Sequence, residues 1–149
     1  NRTMLGAEQE KWLFDGLARS RARWNVIAQD VLIAQFRQKA ADGTINFWTD
    51  DWDGYPAARS RLLNHIADAR VRNPVVLSGD IHSFWVNDLK RDFNNPDSPA
   101  VATELVGTSI SSNGPPHDLF TGWIADNPHV RFFESRMRGY SCVDLTPTT

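Results

Sequence analysis

Asp80 and His82 are the pair in this chain best suited to do chemistry. They close the stretch Asn73-Pro74-Val75-Val76-Leu77-Ser78-Gly79-Asp80-Ile81-His82-Ser83. If that stretch is extended, side chains two apart share a side, so the carboxylate and the imidazole project together. An oxygen and a nitrogen donor at that spacing suit one metal ion or a close pair of ions. On spacing alone the other reading, an Asp and a His that are simply solvated, fits better.

What comes before the pair favours chemistry. Val75-Val76-Leu77 reads as a buried parallel strand, and open α/β sheets hold their ligands at the carboxyl ends of such strands. Gly79 is expected to let the backbone turn tightly or approach a ligand there.

The elements that position this tip read as an α/β alternation. Residues 6–19 read as an amphipathic helix, with Trp12, Leu13, Gly16 and Leu17 at helical spacing and Glu8, Glu10 and Arg19 placed to suit its dipole. Residues 24–28 read as a short strand. Residues 31–36 are apolar and read as either a strand continuation or a helical turn. Pro56 opens a second helix at the first-turn position. Arg59, Leu62, Leu63, Ile66 and Ala67 supply its stripe, Asp53 stands as a cap or near-cap, and His65 is an ordinary helix residue. Strands are expected at 84–89, 100–106, 130–135 and 140–145. The last two flank a hairpin turn at 136–139, and Cys142 fills a strand.

One loop stands out. Phe47, Trp48, Trp52 and Tyr55 alternate with Asp50, Asp51 and Asp53 within ten residues. It packs on its own aromatic side chains with its acids solvated, or else it walls a substrate pocket. On the second reading Trp52 and Asp53 are the substrate contacts.

Composition narrows the classes. With 149 residues, 41% of them apolar, the chain suits one domain or part of a larger one. A net charge of −2 argues against a nucleic-acid surface built on bulk charge. No apolar run reaches membrane-spanning length, and one cysteine cannot form an intrachain disulfide. There is no Gly-rich phosphate loop and no Gly-x-Ser-x-Gly elbow. The opening Asn1-Arg2-Thr3-Met4 reads as the middle of something longer.

Five blocks in order carry a resemblance. They are Arg2-Thr3-Met4-Leu5-Gly6 with Gln9 and Trp12-Leu13; Trp52-Asp53-Gly54-Tyr55-Pro56-Ala57; the stretch from Asn73 to Ser83; Glu104-Leu105-Val106-Gly107-Thr108-Ser109-Ile110; and Asn127-Pro128-His129-Val130-Arg131-Phe132-Phe133. Together they resemble the C-terminal part of PhoD-like (alkaline phosphatase D-like) metallophosphatases, over residues 1–149.

The resemblance implies an α/β fold, part of the calcineurin-like four-layer α/β/β/α sandwich. It implies hydrolysis of phosphate monoesters and diesters, a ferric ion with calcium ions as cofactors, a phosphate ester as substrate and export of the parent protein. It makes Asp80 and His82 metal ligands, in a Gly-Asp-Ile-His version of a motif more often Gly-His-x-His. The family's earlier ligand motifs, with a cysteine, an Asp with a nearby Tyr, and an Asn, are absent, and Cys142 follows the Asp-x-His motif instead of preceding it.

The chain is therefore expected to supply part of an active site, to bind metal weakly alone, to be catalytically silent in isolation, and to self-associate or hold an N-terminal companion. The alternative from another class is a non-catalytic binding module that uses the aromatic-acidic loop, residues 47–55.

Overall fold

The computed structural model describes residues 2–147. Among these, five strands form one mixed sheet in the order β1-β4-β6-β5-β7: β1 (Asn25–Ala28), β4 (Pro74–Ser78), β5 (Phe84–Lys90), β6 (Ala100–Val106) and β7 (Val130–Glu134). β1, β4 and β6 run parallel, while β5 is antiparallel to both β6 and β7. A two-stranded ribbon, β2 (Gln38–Lys39) with β3 (Ile45–Asn46), stands apart from the sheet. The helices are α1 (Ala7–Arg19), α2 (Pro56–Asp68) and α3 (His117–Ile124), with a 3-10 turn at Trp52–Gly54. No helix among the described residues is long and apolar enough to cross a membrane.

The parallel β-branched strand at Val75-Val76-Leu77 is present as β4, and Val76 is fully buried. The helices at 7–19 and from Pro56 both form, with Pro56 in the first turn of α2, but of the expected α1 stripe Leu17 is buried while Trp12 is 72% exposed. Ala58, Arg59, Leu62, Leu63 and Ile66 are the buried residues of α2. His65 has a packing role: its Nε2 meets the Phe14 carbonyl at 2.9 Å and its ring stacks on Phe14 at 4.3 Å.

Three local expectations are corrected and one further helix appears. Residues 31–36 are neither strand nor helix, yet Leu32, Ile33, Ala34 and Phe36 are all buried. Residues 140–145 form no strand, because no partner strand lies beside them, and Cys142 is exposed. Residues 117–124, left without an assignment by pattern, form α3. The cap of the 3-10 turn is Asp51, which accepts the Asp53 N–H at 2.7 Å, while α2 has no side-chain cap. Asp53 instead accepts the Phe36 N–H at 2.9 Å and pairs with the buried Arg59.

The buried, irregular segment 31–37 is possible because side chains satisfy its backbone, as any buried backbone polar group requires. Glu104 accepts from the N–H groups of Ile33 (2.7 Å) and Ala34 (3.1 Å). Arg59 donates to the Ile33 carbonyl, and Asn127 both accepts from the Arg37 N–H and donates to the Arg37 carbonyl at 2.9 Å. His129 donates from Nε2 to the Gln35 carbonyl at 2.6 Å, and burial pushes its pKa down to about 4, so the ring sits there neutral.

Candidate active site

Parallel strands open a crevice at their carboxyl ends, and the segments leaving β1, β4 and β6 meet there. The Gly79 N–H donates to the Asp30 carbonyl at 3.0 Å, and the Gly107 N–H donates to the Ser78 carbonyl at 2.9 Å. Beyond Ser78 the chain bends at once, so Asp80 and His82 do not lie on an extended strand. Both take the left-handed backbone conformation, with φ of 66° and 55°. Non-glycine residues rarely stay in that region without constraint, although Asp and His tolerate it better than most.

Gly79 does not make this turn. Its φ is not positive, and an added Cβ would meet nothing nearer than 3.9 Å. A Gly79→Ala variant should therefore keep its stability to within about 0.5 kcal/mol, the usual range for substitutions that disturb no packing, measured by denaturant unfolding.

The turn brings Asp80 and His82 to one cavity of about 430 Å³. His82 is half-buried and Asp80 exposed. Nδ1 of His82 lies 3.0 Å from the Asn113 carbonyl. A carbonyl can only accept, so Nδ1 carries the proton and Nε2 keeps the lone pair a metal needs. Gly114 comes next in the 111–116 loop, and an added Cβ there would meet the carbonyls of His82 at 2.6 Å and Ser135 at 2.5 Å.

The remaining walls are largely apolar. Leu32 and Phe36 come from the buried irregular segment, Ile81 lies between the two donors, and Pro115, Pro116 and Phe120 come from the loop before α3 and its first turns. Phe36 is braced edge-on by Trp85 (4.9 Å) and stacked with Phe120 (5.5 Å).

The aromatic-acidic loop does reach the cavity, through Trp48 and Asp51. Trp52 and Asp53 do not border it. Trp52 is buried and donates from Nε1 to Gln29, and the side chain of Asp53 is buried against Arg59. Which members of the loop face the cavity depends on the 3-10 turn. Trp48 precedes that turn, whereas Trp52 lies within it.

Asp51 is 5% exposed. Burial, and secondarily the charge of Asp53, raise its pKa to about 7 against the favourable Asp53 N–H bond. A carboxyl whose folded pKa is raised stabilises the fold below its ordinary value near 4, and that contribution is lost as pH rises through about 7. Relative to Asp51→Asn, which keeps an acceptor for the Asp53 N–H, the metal-free wild type should lose stability progressively between about pH 4 and pH 7. Parallel urea unfolding curves at several pH values check this, and a constant difference between the two proteins would contradict it.

The donor set bears directly on metal binding. Asp80 offers an oxygen suited to hard cations and His82 a correctly tautomeric nitrogen. Among the described residues, no group of three His, Cys, Asp or Glu side chains is placed to hold an ion. The pair fits a metal site as two of its ligands and falls short of a full set.

A profile of the family described as PhoD-like phosphatase matches residues 1–149. Alkaline phosphatase D of Bacillus subtilis (strain 168) is 42% identical over 150 residues, covering 99% of this chain and 25% of the relative. The chain thus spans about a quarter of that protein's length. A solved structure titled "Structure of PhoD" superposes with a TM-score of 0.84 at 43% identity, over 94% of this chain and 27% of the other. The mixed sheet with its helices is therefore the α/β architecture of that calcineurin-like group, and the chain belongs to the PhoD-like phosphatase family.

Proposed function

We propose that the chain supplies one side of a metal-dependent site that hydrolyses phosphate esters, monoesters and diesters alike, with Asp80 and His82 as two of the metal ligands. The observation that carries this is the constrained turn. Two donor-bearing residues, Asp80 and His82, sit in left-handed backbone on either side of Ile81 at one cavity, and the Asn113 carbonyl fixes the His82 tautomer. Family membership supports phosphatase chemistry, and the donor types suit the ferric and calcium ions expected from the resemblance.

A bound cation acidifies water and neutralises charge developing on the phosphoryl oxygens. The chain's own residues do the positioning. Asp80 and His82 hold the phosphoryl group, Asn113 and Gly114 keep the imidazole aimed, and the apolar walls line the rest of the cavity. Two ligands make a weak site, so further donors from outside residues 1–149 complete it. We place residues 1–149 in the C-terminal part of the catalytic domain.

The test is Asp80→Ala and His82→Ala in the full-length protein. Each should lower hydrolysis of a monoester and of a diester by at least about a hundredfold, with a fall in bound iron or calcium by elemental analysis, since even outer partners of metal ligands cost about 10–100-fold. Unchanged metal content and rate would overturn the assignment.

A further inference from the structure

The cavity holds far more space than a phosphoryl group uses, and most of that space is not polar. Asp80 and His82 border it, while Leu32, Phe36, Ile81 and Phe120 add apolar lining and Trp48 an aromatic face. At about 430 Å³ its size falls within the ~300–1,000 Å³ of small-molecule sites. Inorganic phosphate placed at the donor end would leave those walls wet.

Trp48 is the unusual member of the set. It is 60% exposed, whereas Phe36 is 3% exposed and held by ring contacts on two sides. A large indole left uncovered beside a reactive pair gains most by covering a flat apolar group, because desolvation and ring stacking then add.

Resting on the reading of Asp80 and His82 as the phosphoryl end, we propose that this site selects phosphate esters whose organic group is apolar and planar, with Trp48 as the residue that recognises that group. The organic group lies along Phe36 and Ile81 with one face against the indole. Asp51, buried at the same cavity, lines it together with Asp80 and His82, and Asp53, Arg59 and Glu104 act on its charge. Specificity then follows from shape and burial, with affinity for the phosphoryl end common to all esters.

Non-hydrolysable probes separate the two contributions. In the full-length, metal-loaded protein, phenylphosphonate should bind about tenfold more tightly than methylphosphonate by calorimetry, the scale of one good aromatic contact plus its burial. Trp48→Ala should erase most of that difference, and Trp48→Phe should retain most of it. The exposed indole makes no hydrogen bond that folding depends on, and matched unfolding curves verify that both variants are intact. Equal binding of the two phosphonates by the wild type, or a tenfold difference that survives Trp48→Ala, overturns the proposal while leaving the phosphoryl end in place. Binding of neither phosphonate, with no hydrolysis of phosphate esters, overturns the reading of Asp80 and His82 and this proposal with it.

Discussion

Glu104→Ala should destabilise the fold by about 3–5 kcal/mol, the cost of breaking a buried charged network. Glu104 is fully buried on β6 and accepts four hydrogen bonds: from the Ile33 and Ala34 N–H groups, from the Ser78 hydroxyl at 3.0 Å and from Asn87 Nδ2 at 3.0 Å. Asn87 is its direct neighbour across the β5–β6 ladder. Burial pushes the Glu104 pKa up, opposed by those four donors. Removing the carboxyl strands four donors in the interior, each an unmet desolvation cost of about 1–3 kcal/mol before relaxation.

Glu104→Gln is milder but still harmful, at about 1–3 kcal/mol, because its amide nitrogen must face donors where an oxygen had accepted. Denaturant unfolding measures both losses. Hydrogen exchange at Ile33 and Ala34 should accelerate in both variants, because those amides lose their acceptor. A change under about 1 kcal/mol in Glu104→Ala would contradict the network. The consequence reaches the site, since the segment Glu104 anchors carries Leu32 and Phe36 into the cavity wall and Ser78 leads into the turn.

Gly114→Ala is the second large effect, on the order of 3 kcal/mol. Its added methyl would lie 2.5 Å from the Ser135 carbonyl and 2.6 Å from the His82 carbonyl, both backbone atoms that no rotamer change can move. The loop must then lift away from the turn. Asn113 rides on that loop, so the acceptor that holds His82 Nδ1 moves with it. Beyond lost stability, metal affinity should fall by about 10–100-fold, the usual cost of removing the partner that orients a ligating histidine. A metal titration of the full-length variant reads this directly. Loss of stability with affinity intact would show that Asn113 does not orient His82.

Much of this was open to pattern reading. The apolar periodicity of α1 and α2, the Pro56 start and the β-branched run of β4 are local signals, and the local chain obeys them. The Asp-x-His pair was legible for the same reason, by type and by its place after a buried parallel strand. Its geometry was not, because a turn with two left-handed residues interrupts the alternation that the spacing assumed. Residues 140–145 alternate as a strand would, but a strand needs a neighbour, and the β7 edge is not taken up by that segment.

By itself the sequence determined the α/β class, the parallel strand that ends at the site and the family, and it singled out Asp80 and His82 as the proposed donors, because each depends on residues close together in the chain. Tertiary structure alone decided which loop residues face the cavity and what holds segment 31–37. Trp48 and Asp51 line the cavity while Trp52 and Asp53 turn away, because the hydrogen bond that Asp53 accepts from the Phe36 N–H and its ion pair with Arg59 draw that end of the loop inward. Glu104, Asn127 and His129 reach residues 33–37 from about seventy to ninety positions away. A buried backbone must find its hydrogen-bond partners wherever folding brings them, and no local spacing records that distance.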